Sequence, residues 1–127
     1  MNTPRRGARG QATVELALVL PFVLALLLFL VQLGLVIRDQ IMVVNAAREA
    51  ARHAAVDPST AVARDAAIRS GALDPSRLTV SLDSSGVAIT VTVVYRAETE
   101  VPIVGPLLGD LTIRESTTMR REANDMP

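Results

Sequence analysis

Leu16–Ile37 is a run of 22 residues without a charged side chain. As a helix it spans about 33 Å, against a bilayer hydrocarbon core of about 30 Å. Its interruptions are Pro21, Gln32 and Gly34, and transmembrane helices tolerate Pro and Gly better than soluble ones do. Nothing else in the chain could wrap such a helix on all sides, which argues against a buried helix of a soluble core. Arg5, Arg6 and Arg9 precede the run, and no acid occurs among the first ten residues. Beyond it, Arg38 is followed at once by Asp39, and Arg48 by Glu49. The positive-inside bias therefore predicts a cytoplasmic N-terminus, with Arg38–Pro127 on the outer side. A removable secretory signal would have an apolar stretch of about 7–15 residues and an early small-x-small site. Here the stretch is longer, and the best such site, Val44-Asn45-Ala46, lies beyond Arg38 and Asp39.

The residues just ahead of the run carry a second signal. Gly10 closes the arginine-bearing stretch, and Glu15 stands five residues later at the head of the apolar helix. A carboxylate at the centre of a bilayer costs roughly 2.5–3.5 kcal/mol, and less near the interface. Cutting after Gly10 would create an amine at Gln11, a cationic partner that offsets desolvation of Glu15 once helices pack together. The plainer reading is that Glu15 marks a helix start, where the helix dipole favours an acid.

Past the membrane the helical pattern continues. Gln40–Ala55 contains no breaker, and Ile41, Val44, Ala47/Arg48, Ala51 and Ala55 recur at helical spacing. Small alanines there would let a helix or sheet approach closely, or would simply form a linker. Asp57 as N-cap and Pro58 as first helical residue predict a second helix to Ser70, with Gly71 as its stop. Asp74-Pro75-Ser76 reads as a turn. From Leu78 the period becomes two. Leu78, Val80 and Leu82 form one strand, and Asp83–Gly86 a turn. Val87, Ile89, Val91, Val93 and Tyr95 share one face of the next strand, and Leu111, Ile113 and Met119 one face of a third. Three such strands need something to pack on, and the outer half of the long helix is available. The expected fold is α+β. Residues 1–10 are a leader, 11–37 a membrane helix and 38–127 an outer domain with helices at 38–56 and 58–70 and strands at about 78–82, 87–96 and 111–119. The apolar connection Val101–Gly109 reads as a loop over the open end of the core, or as a contact surface for a neighbouring subunit or the membrane. The tail Arg120–Pro127 reads as frayed.

Charge and composition narrow the chemistry. Basic and acidic residues balance at 13 each. Without the three leader arginines the balance is net acidic, which provides no broad basic patch for nucleic acid. There is no cysteine, so the outer domain depends on packing rather than disulfides. His53 is the single histidine, in an alanine-rich helix, so a conventional zinc site is not available. No phosphate-binding glycine loop or nucleophile triad appears. Asp57, Asp74, Asp83 and Asp110 sit in turn or cap contexts where Asp is expected structurally. No enzyme, cofactor or small-molecule substrate is expected.

The segments Arg9-Gly10-Gln11-Ala12-Thr13-Val14-Glu15-Leu16, Leu20-Pro21 and Asn45–Arg52 together resemble the TadE-like family of tight-adherence (Flp-type) pilus systems, a branch of type IV pilus machinery. Val91–Tyr95, the Pro-rich connection and Met119-Arg120 also look like that family's later part. The resemblance implies a pseudopilin or minor pilin, cut at the glycine by an aspartic prepilin peptidase of the inner membrane. It would work with other pilin-like subunits and the inner-membrane assembly platform, in pilus biogenesis, adhesion and related secretion. By position, Gly10 would precede the cut, Gln11 would become the N-terminus and Glu15 the assembly carboxylate. Major Flp pilins usually place an aromatic residue after that glutamate and are much shorter. Leu16 stands there in this chain, and a sizeable outer domain follows, which argues against the main shaft subunit. The alternative is an uncut single-pass membrane protein whose outer domain binds or stabilises partners.

Overall fold

A computed structural model describes residues 6–99, 102 and 105–121. Its dominant element is α1, an uninterrupted helix over Arg6–Val56. At the standard rise its 51 residues extend about 76 Å. Pro21 lies inside it, removing one backbone donor from the ladder. The membrane helix and the outer helix form one rod, as the unbroken helical pattern beyond Ile37 predicts.

The outer half of that rod is the spine of the folded part. Val43, Ala46, Ala47, Ala50, Ala51 and Ala54 are fully buried. Ala47, Ala51 and Ala55 lie inside as the spacing predicts, but Ile41 is 56% exposed and Val44 only half-buried, and Val43 and Ala46 join the buried stripe instead. The stripe is wide because α2 and the sheet pack on it from two directions. Helix α2 (Thr60–Gly71) contributes only small buried residues, Ala63, Ala66, Ala67 and Gly71. A side chain added at Gly71 would come within 3.2 Å of the Ala46 Cβ and 3.0 Å of Leu73 Cδ1. The glycine is therefore an interface residue.

Two helix-boundary expectations are corrected. Asp57 does not start α2: its amide donates to the His53 carbonyl at 3.0 Å, so it ends α1 instead. The N-cap is Ser59, which makes no side-chain cap bond, and Pro58 lies in the connection. Gly71 is the last helical residue, and the left-handed turn falls on Ala72 at φ 49°. Asp74-Pro75-Ser76 does turn the chain, as the start of a 3-10 turn over Pro75–Arg77. The Asp74 carboxylate accepts from the Ser76 amide at 2.9 Å and the Ser76 hydroxyl at 2.7 Å. Those bonds, the hydroxyl's foremost, hold its carboxyl below the ordinary value of 3.8. Arg64 of α2 ties this turn down, donating to the carbonyls of Pro75 and Leu78 at 2.8 and 2.9 Å.

Three antiparallel strands follow, β1 (Leu78–Ser85), β2 (Ala88–Ala97) and β3 (Leu111–Arg120), in the order β1-β2-β3. β2 pairs with β3 along its whole length, from Ala88 opposite Arg120 to Ala97 opposite Leu111. Ile89, Val91, Val93, Tyr95 and Ile113 face the core. On the open face Thr90 and Thr118 share a hydrogen bond at 2.9 Å, and Thr92 and Ser116 one at 2.8 Å. β1 runs on through Asp83–Ser85, so the hairpin turn is only Gly86-Val87. Gly86, at φ 61°, takes the first central position, where a two-residue turn with an ordinary second residue needs glycine. Val87 is consequently 66% exposed in the turn and does not share the inner face of β2. Arg120 completes β3, and the Arg121 amide donates to the Val87 carbonyl, so the chain is still paired there. The rest of the expected tail, Glu122–Pro127, lies outside the described residues.

Candidate functional site on the uncovered helix

Every described residue from Gly10 to Leu27 is exposed. Val14 is 60% exposed, Leu16 64% and Phe22 77%. The 18-residue window of highest hydropathy in α1 has none of its residues buried. It is the one helix among the described residues long and apolar enough to cross a membrane. A soluble core helix would be wrapped by its own chain, and this one is not. Its apolar surface is open to lipid or to other helices.

Gly10, Gln11 and Glu15 all lie on this uncovered stretch and are exposed. A side chain at Gly10 would meet nothing within 4 Å. Gln11 and Glu15 are four residues apart, so they lie about one turn apart on the same face. Among the described residues no ion pair involves Glu15. The side chains of Arg6 and Arg9 and the whole of Arg5 lie outside what the structure describes. α1 begins at Arg6 and has no acid in its first turn. A chain starting at Gln11 would place Glu15 in the opening turns, where the positive end of the helix dipole favours a carboxylate.

One residue in the apolar run behaves unlike its neighbours. Gln32 is only 3% exposed, and its Oε1 has no hydrogen-bond partner among the described residues. The sequence marks Gln32 as an interruption but gives no sign that it is covered. Above it, Leu35, Arg38 and Asp39 of α1 border a cleft with Arg77, Tyr95 and Glu98 of the folded part. Arg77 pairs with Glu98 there and, at 3.7 Å, with Asp74.

His53 is exposed and pairs with Glu49 at 3.2 Å, one turn earlier on α1. Among the described residues no cluster of three or more His, Cys, Asp or Glu could hold a metal. The uncovered stretch Gly10–Leu27 offers an apolar surface for association that carries one carboxylate, Glu15.

No curated protein and no solved structure matches the chain. Residues 10–52 match the family model described as TadE-like protein, a segment that runs from Gly10 through the uncovered helix to Arg52. Together with the apolar helix this match suggests a membrane-anchored protein. Over residues 10–52 the chain is similar to TadE-like proteins.

Proposed function

We propose that this chain is a pilin-like subunit cut between Gly10 and Gln11 by a prepilin peptidase and then assembled through its uncovered helix. Residues 1–10 are the leader, 11–37 the membrane segment and 38–127 the outer domain. The N-terminus faces the cytoplasm before the cut, in keeping with Arg5, Arg6 and Arg9.

The observation that carries this reading is the open apolar helix with Gly10 and Glu15 at its head. The bond to be cut lies in the first turns of α1, where few backbone bonds hold the helix and fraying exposes a peptide to a protease. Cutting removes three arginines that anchor the chain to the cytoplasmic face. It leaves an amine whose charge matches Glu15. In the membrane, Glu15 stays hydrated near the interface. In a helical bundle it loses water, and the Gln11 amine of an adjacent subunit compensates. The folded part stays at the other end of the rod, clear of that contact.

The test is the mass of the protein extracted from membranes of cells with and without the peptidase. The proposal expects a chain beginning at Gln11 only where the peptidase is present. An intact leader in peptidase-positive cells overturns it and leaves an uncut, tethered outer domain acting on partners.

A further inference from the structure

The cleft at the end of the apolar run brings both signs of charge together. Arg38 and Asp39 enter it from α1, Asp74 and Arg77 from the turn ahead of β1, and Glu98 from just beyond β2. Leu35, the last residue of the charge-free run to line this space, stands three residues before Arg38. The two are about 4.5 Å apart along the rod. If the run spans a bilayer, the cleft straddles the boundary between acyl chains and headgroups.

The polar groups of the cleft do not all answer one another. Arg77 pairs with Glu98 and, at 3.7 Å, with Asp74. The side chains of Glu98 and Asp74 are still 47% and 49% exposed, so each keeps acceptor positions that one shared guanidinium does not fill. Arg38 is exposed and forms no ion pair with a described residue. Tyr95 is only 8% exposed, yet its hydroxyl bonds to none of the described residues. A buried tyrosine hydroxyl ordinarily finds a partner, and the cleft that Tyr95 lines is where one can reach it.

Carboxylates outnumber guanidinium groups in the lining by three to two. A simple anion would meet net negative charge, and a simple cation would leave Arg38 and Tyr95 unanswered. A group carrying a phosphate and a primary ammonium satisfies both sets. Arg38 can take the phosphate in a charge-assisted two-point contact, and the ammonium has three donors for the carboxylates. The cleft holds about 240 Å³, below the roughly 300–1,000 Å³ of sites for drug-sized ligands, which suits a headgroup.

We infer that this cleft binds the phosphoethanolamine headgroup of a membrane lipid, with Arg38 and Tyr95 on the phosphate and Glu98 and Asp74 on the ammonium. The source is lipid, because the uncharged rod directly below gives the attached acyl chains a surface. A bound headgroup bridges the rod, the turn and the end of β2, and so fixes the angle of the outer domain to the bilayer. The inference rests on the membrane-anchored reading and is independent of cleavage.

Native mass spectrometry of the full-length protein released from detergent micelles tests it. Phosphatidylethanolamine, phosphatidylcholine and phosphatidylglycerol with identical acyl chains are added in equal amounts, and soluble phosphoethanolamine in a parallel sample. The expected result is preferential retention of phosphatidylethanolamine, since the choline lipid has no N–H donor and the glycerol lipid no cation. Arg38→Gln should weaken that retention roughly tenfold or more, the effect of losing one charge-assisted contact. Tyr95→Phe keeps the buried ring and should weaken it by a smaller factor. Arg114→Gln, exposed on β3 and outside the cleft lining, should leave it unchanged. Equal retention of the three lipids, or a preference that Arg38→Gln leaves intact, overturns the headgroup site and keeps the anchor. Binding of the soluble ester with no preference among the lipids overturns lipid as the source. Release of the protein from membranes by alkaline carbonate overturns the anchored reading and the site with it.

Discussion

Replacing Gln32 by leucine should stabilise the protein, although it removes a polar group whose type often contributes specific contacts. Gln32 is 3% exposed and its Oε1 accepts no hydrogen bond from the described residues. A buried carbonyl left without a donor costs about 1–3 kcal/mol. Leucine is close to glutamine in volume, so it fills the same space without that penalty. The expected gain is about 1–3 kcal/mol, and each 1 kcal/mol raises the midpoint of a small domain by about 4–8 °C. Thermal unfolding in detergent micelles, followed by the circular dichroism of the strands, reads the change. Gln32→Ala is the control: it also removes the orphan carbonyl but leaves a void, so its midpoint should fall below that of Gln32→Leu. A midpoint for Gln32→Leu equal to or below the unmodified chain refutes the reasoning, because the carbonyl would then have a partner in solution.

Gly71→Val drives a branched side chain into Ala46 and Leu73 and should cost about 1–3 kcal/mol by overpacking, read as a lower midpoint in the same melt. Ile89→Ala, at a fully buried site, should cost about 2–5 kcal/mol in urea unfolding without changing membrane extraction. The folded-state carboxyl of Asp74 lies below 3.8, chiefly through the Ser76 hydroxyl. Its stabilisation is present above the unfolded value and is lost as pH falls through the folded one. Between about pH 5 and pH 3 the native chain should therefore lose more stability than Asp74→Ala, and parallel acid curves would disprove the link. Glu15→Ala should leave the mature N-terminus intact yet reduce recovery of the subunit with its assembly partners, and unchanged recovery would remove the carboxylate from the mechanism.

The parts of this fold visible in sequence are those with a strong period and a single competing explanation. The charge-free run and the alternation of Ile89, Val91, Val93 and Tyr95 belong here, because burial on one side and exposure on the other leave few registers open. Element ends were less legible. Asp57-Pro58 has the chemistry of a helix start, but the Asp57 amide completes the last turn of α1 first. Gly71 has the chemistry of a helix stop, but close approach to Ala46 claims it instead. Val87 continues the alternation of β2 on paper and is lost to a two-residue turn. On α1, Ala47, Ala51 and Ala55 are buried as expected, and the departure at Ile41 and Val44 has a similar origin. Alanine contributes little contrast to a periodicity, so Ile41 and Val44 dominated the reading, and two packing partners chose Val43 and Ala46. Gly10, Gln11 and Glu15 lie exposed on the uncovered helix, and the roles proposed for them come from spacing and charge. Burial of Gln32 is not legible, since its neighbours in sequence give no sign of which side of the rod is covered.

Zero-length carbodiimide coupling tests the central claim directly, because it joins only an amine and a carboxylate already in contact. Applied to the assembled complex and followed by peptide mass spectrometry, it should yield a bond between an N-terminal amine at a cut site and the Glu15 carboxylate of a different subunit. Recovery of Glu15 unmodified beside a free Gln11 amine, or of chains still carrying Arg5, Arg6 and Arg9, would contradict the account.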